Sequence, residues 1–160
     1  MRVDAATPPR EDRAVAPIVA SVEIARSPED VFAYVGQLDR HGEWQAAVER
    51  VEVHTEGPTR VGTRATDVRR VPRGKMKATY EMTEWDPPRR AAFRGLNGSI
   101  RANGVFSVEP AGEGRSKATL ELDFEAHGIG KLLLPLVRRE AAKRTPEDQQ
   151  TLKERLESGV

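Results

Sequence analysis

From Val48 to Glu125 the hydrophobic residues keep to every second position over long runs, and that alternation restricts the chain to a narrow set of folds. Val51 and Val53 alternate with Arg50, Glu52 and His54, while Met76, Ala78, Tyr80 and Met82 oppose Lys75, Lys77 and Glu81. Ile100, Ala102, Gly104, Phe106 and Val108 share one side of a further run, and Leu120, Leu122 and Phe124 are interleaved with Thr119, Glu121, Asp123 and Glu125. Residues two apart lie on one face of a strand, so each run has an apolar side and a wet side. Turn signals at Gly57-Pro58, Pro72-Arg73-Gly74, Asp86-Pro87-Pro88, Asn97-Gly98 and Gly112 to Gly114 separate the runs as in an antiparallel meander. Such a sheet has one greasy face, and a helix has to cover it.

The cover is predicted from Gly128 onward. Leu132, Leu133, Leu136 and Val137 have helical spacing, and Leu152 and Leu156 are read as resuming the same face. Between them Ala141, Thr145 and Gln149 are small or polar, which suggests a long helix lying over a cavity. Pro135 makes the first turns irregular, and Pro146, in a Thr145-Pro146-Glu147-Asp148 start signal, predicts a kink or a restart. Upstream of the meander, Ile18 to Ile24 reads as a first strand. Ser27-Pro28-Glu29-Asp30 then opens a helix: a hydroxyl at the N-cap, proline at the first helical position and carboxylates at the positive end. Val31, Phe32 and Val35 form its buried side, Gly36 its cap, and a second short helical piece runs from Asp39 towards Trp44. Val61 to Val71 and Ala91 to Arg94 complete the strands. Residues 1–17 mix charges with prolines and are expected to be a mobile tail, with 18–160 as one domain.

Charge and composition exclude several functions. The 26 basic and 25 acidic side chains leave a net charge of +1, so no global field draws the chain to nucleic acid or to an anionic membrane. Arg69, Arg70, Arg73, Lys75 and Lys77 surround one turn but lack interleaved aromatics, so no nucleic-acid partner is expected. Arg138, Arg139, Lys143 and Arg144 read as the solvated face of the last helix. Without cysteine there is no disulfide, thiolate nucleophile or cysteine-held metal, which fits a reducing compartment; the expected location is the cytoplasm. No apolar run is long enough to span a bilayer, so no integral membrane association is expected. His41, His54 and His127 are scattered, and neither a nucleophile elbow nor a glycine-rich phosphate loop is present; no metal, cofactor or catalytic residue is assigned.

The order of elements, together with Ser27-Pro28-Glu29-Asp30-Val31-Phe32, Asp39 with Trp44, Val61-Gly62-Thr63-Arg64, Tyr80 to Pro88 with Arg89-Arg90, and Leu152-Lys153 to Leu156-Glu157, resembles the START-like, Bet v 1-like and polyketide cyclase/dehydrase proteins. That resemblance, covering about Ile18 to Glu157, implies an α+β helix-grip fold: a curved antiparallel sheet wrapped around a long C-terminal helix, with two short helices after the first strand. Its members include aromatase/cyclases, carriers of lipids, sterols and hormones, and simple binding modules, so the fold alone does not choose among them.

If the apolar alternates face the helix, the cavity wall consists of Val51, Val53, Tyr80, Met82, Phe93, Phe106, Leu120 and Leu122, with Leu133 and Leu136 above. Trp44 sits where the short helices meet the sheet and frames the mouth. The strand from Val61 to Val71 brings charge to the inner face in either register, through Arg64 and Arg70 or through Asp67 and Arg69. Arg64, between Thr63 and Thr66, is the expected polar fixture, with the Tyr80 hydroxyl as the second. The expected ligand site is therefore Trp44, Arg64, Tyr80, Met82, Phe93, Phe106, Leu133 and Leu136. The expected function is binding of a hydrophobic or aromatic small molecule, lipid- or polyketide-like. The alternatives are a polyketide cyclase/dehydratase-type enzyme and a protein-interaction module with a vestigial pocket; oligomeric state leaves no trace in the sequence.

Overall fold

In the computed structural model, which describes residues 15–160, the alternating runs pair into one antiparallel seven-stranded sheet. Its strands are β1 (Ile18–Ile24), β2 (Val48–Val53), β3 (Arg64–Val71), β4 (Gly74–Asp86), β5 (Arg90–Gly95), β6 (Ile100–Pro110) and β7 (Ser116–Ala126). The spatial order β1-β7-β6-β5-β4-β3-β2 makes β2 to β7 the expected meander, and β1 adds to β7 at the far edge. The expected N-terminal tail lies mostly outside the described residues; Val15, Ala16 and Pro17 lead exposed into β1.

Helix α1 (Pro28–Val35) starts as its sequence dictates. The Ser27 side chain accepts a hydrogen bond from the Asp30 amide at 3.2 Å, Pro28 occupies the first turn, and the Gly36 amide donates to the Phe32 carbonyl at 2.9 Å. Val31, Phe32 and Tyr34 are buried, and the Phe32 ring lies 4.9 Å from that of Trp85. A 3-10 segment, Leu38–Glu43, follows and delivers the chain through Trp44 to β2.

The C-terminal helix α2 (Gly130–Glu157) runs unbroken for 28 residues, with Pro135 and Pro146 inside it, so Pro146 neither restarts nor ends the helix. It is fastened along edge strand β1. Gln149 Nε2 donates to the Ala20 carbonyl at 3.1 Å, Lys153 Nζ to the Glu23 carbonyl at 2.8 Å, and Glu157 Oε1 accepts from the Ala25 amide at 2.9 Å. Its second half buries Thr145, Gln149, Leu152 and Leu156. The first half behaves differently from the single stripe expected: Leu132 is 81% and Leu136 61% exposed. At about 100° per residue, the separation between Leu132 and Leu152 places them about 160° apart, on opposite sides of the helix. The side facing the sheet in this half carries instead Leu134, Val137 and Ala141, all partly buried.

The concave face of the sheet is built by parity. Ile24, Ala118, Phe106, Val108, Ala91 and Tyr80 all point to the core, and a bulge between Met82 and Glu84 turns Trp85 inward beside Met82. Gly104 in β6 pairs with Phe93 in β5, and the Phe93 ring lies over it so closely that a Cβ at Gly104 would strike the ring. The sheet therefore depends on a missing side chain at its centre. Gly104→Val is expected to lower stability by about 1–3 kcal/mol through overpacking, read as a lower urea midpoint; an unchanged midpoint contradicts this packing.

Candidate functional site

Residues directly opposite in an antiparallel pair point to the same side of the sheet. Tyr80 faces the core, and its partner is Ala65; by the same ladder Asp67 pairs with Ala78 and Arg69 with Met76. Asp67 and Arg69 therefore share the concave side, and Arg64, opposite Glu81, falls on the outer one. The Arg64 side chain is 58% exposed and approaches Glu81 at 3.9 Å, while Glu81 also accepts from Arg94 at 3.0 Å. These charges form a ladder in water, where each pair stabilises little.

The inward charge is Asp67. Its side chain is 10% exposed, and Oδ2 accepts a hydrogen bond from the Arg69 guanidinium at 3.1 Å, which offsets part of the cost of desolvating a carboxylate. Its other oxygen, Oδ1, is buried without a partner, as is the Tyr80 hydroxyl. The two groups are neighbours: burial above all, then the Asp67 charge and its weak hydrogen-bonding pull, drive the Tyr80 hydroxyl far above its ordinary pKa of 10.0. Neither group completes a well-formed hydrogen bond with the other. The site thus combines a firmly protonated donor with a carboxylate acceptor inside an apolar wall.

That wall includes five of the expected residues. Tyr80, Met82 and Phe106 are buried in one hydrophobic cluster, and Phe93 packs against it with its ring 5.5 Å from that of Tyr80. Leu120 and Leu122 are half-buried beside Phe106 and Gly104, and Val51 lies opposite Asp67. Trp44 is buried in the same cluster, its ring edge-on to His41 at 5.3 Å and its indole N–H without an acceptor. Leu133 and Leu136 do not join this group; they stand exposed on α2. Three further groups complete the surroundings: Asp67, Arg69 and Trp85. A signal for the first two is present in the sequence, because closing the Pro72-Arg73 turn with Val71 opposite Gly74 sets Asp67 opposite Ala78.

A hollow of about 390 Å³ lies on the other side of the sheet, along Thr83, Ala92, Arg94, Asn103, Val105 and Glu121. These are mostly the water-facing alternates, so the hollow is a crease of the outer surface, with Phe93 and Gly104 of the sheet between it and the concave side. His41 adds an electrostatic feature on the concave side. Its Nε2–H donates to the Val35 carbonyl at 2.7 Å, and burial pushes the imidazole below its ordinary value of 6.5, against the opposing pull of that carbonyl and of the Asp67 charge.

Residues 16–157 match a family model described as polyketide cyclase / dehydrase and lipid transport. A crystal structure of a Thermus thermophilus protein is 26% identical, with a TM-score of 0.75 over 90% of this chain and 99% of that one. The ZhuI aromatase/cyclase from Streptomyces sp. R1128 superposes with a TM-score of 0.74 at 15% identity, covering 87% of this chain and 92% of its own. A START superfamily protein from Mycobacterium smegmatis gives 0.74 at 15% identity, covering 91% and 100%. The last two likenesses are likenesses of fold.

The lowered basicity of His41 makes stability depend on pH. The unfolded chain takes up a proton near the ordinary value of 6.5 that the folded chain resists, so this contribution is complete above that pH and is lost as the pH falls through it. Asp148, raised by burial, works in the opposite sense at acid pH. The melting temperature is expected to fall from about pH 6.5 downward, and His41→Asn should flatten that slope while lowering stability overall. The same slope in His41→Asn would contradict the assignment.

Proposed function

We propose, since the chain belongs to the polyketide cyclase / dehydrase and lipid transport family, that its concave face binds a hydrophobic, aromatic or lipid-like small molecule bearing a carbonyl or hydroxyl group. One observation carries the reading: the Tyr80 hydroxyl and Asp67 Oδ1 are buried next to each other, unpartnered, in an otherwise apolar wall. A buried polar atom without a partner costs about 1–3 kcal/mol, and such atoms are rare unless something else completes them. A ligand oxygen would accept from Tyr80, and a ligand hydroxyl would donate to Asp67. Met82, Phe93, Phe106 and Trp44 would supply the apolar contact, and burial of that surface would provide most of the affinity. Arg64, Leu133 and Leu136 point to water and stand outside this binding set.

Entry would be through the first half of α2. The helix is tied to β1 by bonds from Gln149 onward, whereas its first half presents only Leu134, Val137 and Ala141 towards the sheet. Its fixed point is Arg138, which donates to the Ala16 carbonyl at 2.7 Å and approaches Asp123 at 3.7 Å.

A second reading, a cyclase-type enzyme, draws on the same pair. Tyr80, held protonated, would hydrogen-bond a ketone oxygen while Asp67 takes a proton from the carbon between two carbonyls, leaving an enolate to close a ring. Turnover of a poly-β-ketone, abolished by Asp67→Asn with binding retained, would select this reading.

The binding reading is tested with the chain's own reporters, since its two tryptophans, Trp44 and Trp85, both border the concave core. Titration with hydroxylated polycyclic aromatics and with fatty acids should give saturable quenching, weakened about tenfold in Tyr80→Phe. The ligand-free Tyr80→Phe protein should be as stable as the parent or about 1 kcal/mol more stable, having shed an unpaired buried hydroxyl. A variant that loses stability yet binds unchanged would assign Tyr80 to the core alone.

A further inference from the structure

The near-zero net charge conceals a strong segregation along α2. From Ile129 to Thr145 the chain carries five basic residues and one acidic residue, Glu140; from Pro146 to Glu157 it carries two basic and four acidic ones. The basic half is also the half with outward apolar side chains. Ile129, Leu132, Leu133 and Leu136 are all exposed, Ile129 at 70%, on the side of the helix away from the sheet. Lys131, Arg139 and Lys143 are exposed along this half and have no ion-pair partner among the described residues. A helix that turns leucines and unpaired cations together towards solvent is not covering its own core.

The same end of the molecule carries a second element of this composition. The His127 amide donates to the Ser99 carbonyl, and Gly130 is packed against that carbonyl, so the start of α2 abuts the loop between β5 and β6. That loop is bonded to β4 near its middle: Asn97 accepts from the Thr79 amide at 2.8 Å, and Leu96 donates to the Thr79 carbonyl. The adjoining β3–β4 turn exposes Val71 and Met76, with Arg73 between them. Apolar tips flanked by cations are therefore gathered at the end of the sheet where α2 begins.

We infer that this end docks peripherally on an anionic lipid surface, with Leu132 and Leu136 entering the headgroup and upper acyl region and Lys131, Arg139 and Lys143 meeting lipid phosphates. Charge complementarity selects the occupant: the cations suit a negatively charged bilayer, while leucines at the same place gain by leaving water. A second copy that met this patch with its own would bring the same cations against themselves. The inference is independent of any ligand in the concave face, and it places the lightly held half of α2 against the lipid. No helix among the described residues is long and apolar enough to cross a membrane, so the association is peripheral.

Flotation of the full chain with phosphatidylcholine vesicles, with and without about one quarter phosphatidylglycerol, tests it. Binding is expected only with the anionic lipid, weakening steeply as salt is raised. Leu132→Ser combined with Leu136→Ser should weaken it at least about tenfold. Both residues are exposed, so an unchanged circular-dichroism melt is the folding control. Should that variant not fold, Arg139→Glu with Lys143→Glu must abolish flotation. Three results would overturn the inference: no flotation of the parent chain, flotation insensitive to both variants, or a concentration-dependent dimer that the leucine variant dissolves, which gives the surface to a second copy. Each leaves the tryptophan titrations of the concave face standing or falling on their own.

Discussion

One helix has to cover the concave face of the sheet, and its ties lie in its second half, along edge strand β1 and, through Asp148 Oδ1 accepting from the Ala46 amide at 3.1 Å, to the segment leading into β2. The bonds from Gln149, Lys153 and Glu157 to the backbone of β1, with Leu152 and Leu156 sealed beneath them, fix the second half of α2. The first half is held by fewer contacts: Arg138 on the Ala16 carbonyl, and Gly130 packed against Ser99 where the helix begins. The far strands β3 to β5 are covered by α1 and the 3-10 segment, through Phe32 against Trp85 and Trp44 against the core. The fold is thereby divided into a firm part, where helix and edge strand meet, and a part where the helix lies over the sheet with few attachments. Openings of low free energy concentrate in regions with few buried contacts.

The polar pair sits deep on the concave side of the strands that α2 does not fasten. Asp67 is retained there at a desolvation cost that Arg69 only partly offsets, because one of its oxygens remains unpaired. Tyr80 adds a second unpaired group a strand away. Removing the Tyr80 hydroxyl would relieve its share of that cost, so stability alone does not account for that group. Function in this account rests on the conflict between an apolar wall and the two groups that it leaves unsatisfied.

The architecture was legible because it follows from periodicity. Alternation over residues 48–125 specified the meander, and Ser27-Pro28 with Gly36 specified α1 and its caps. The apolar set of the concave face was legible for the same reason, since Tyr80, Met82, Phe93 and Phe106 sit on apolar alternates. The polar fixture was harder to read, because β3 carries charge on both alternates and only the pairing of Val71 with Gly74 decides between them. Leu132, Leu133 and Leu136 share spacing with Leu152 and Leu156 only turn by turn; across the whole helix a repeat of 3.6 carries them to the opposite, exposed side. Which of the two sides meets the sheet is decided by tertiary docking, which no local pattern encodes.

Native mass spectrometry of the protein purified from its own host, followed by denaturing extraction, tests the central claim most directly. A stoichiometric mass increment from a hydrophobic compound bearing a carbonyl or hydroxyl, retained in Arg64→Ala and lost in Tyr80→Phe combined with Asp67→Asn, is the result this account predicts. A bare chain in the parent, or a compound held equally well after Tyr80 and Asp67 are changed, would contradict it.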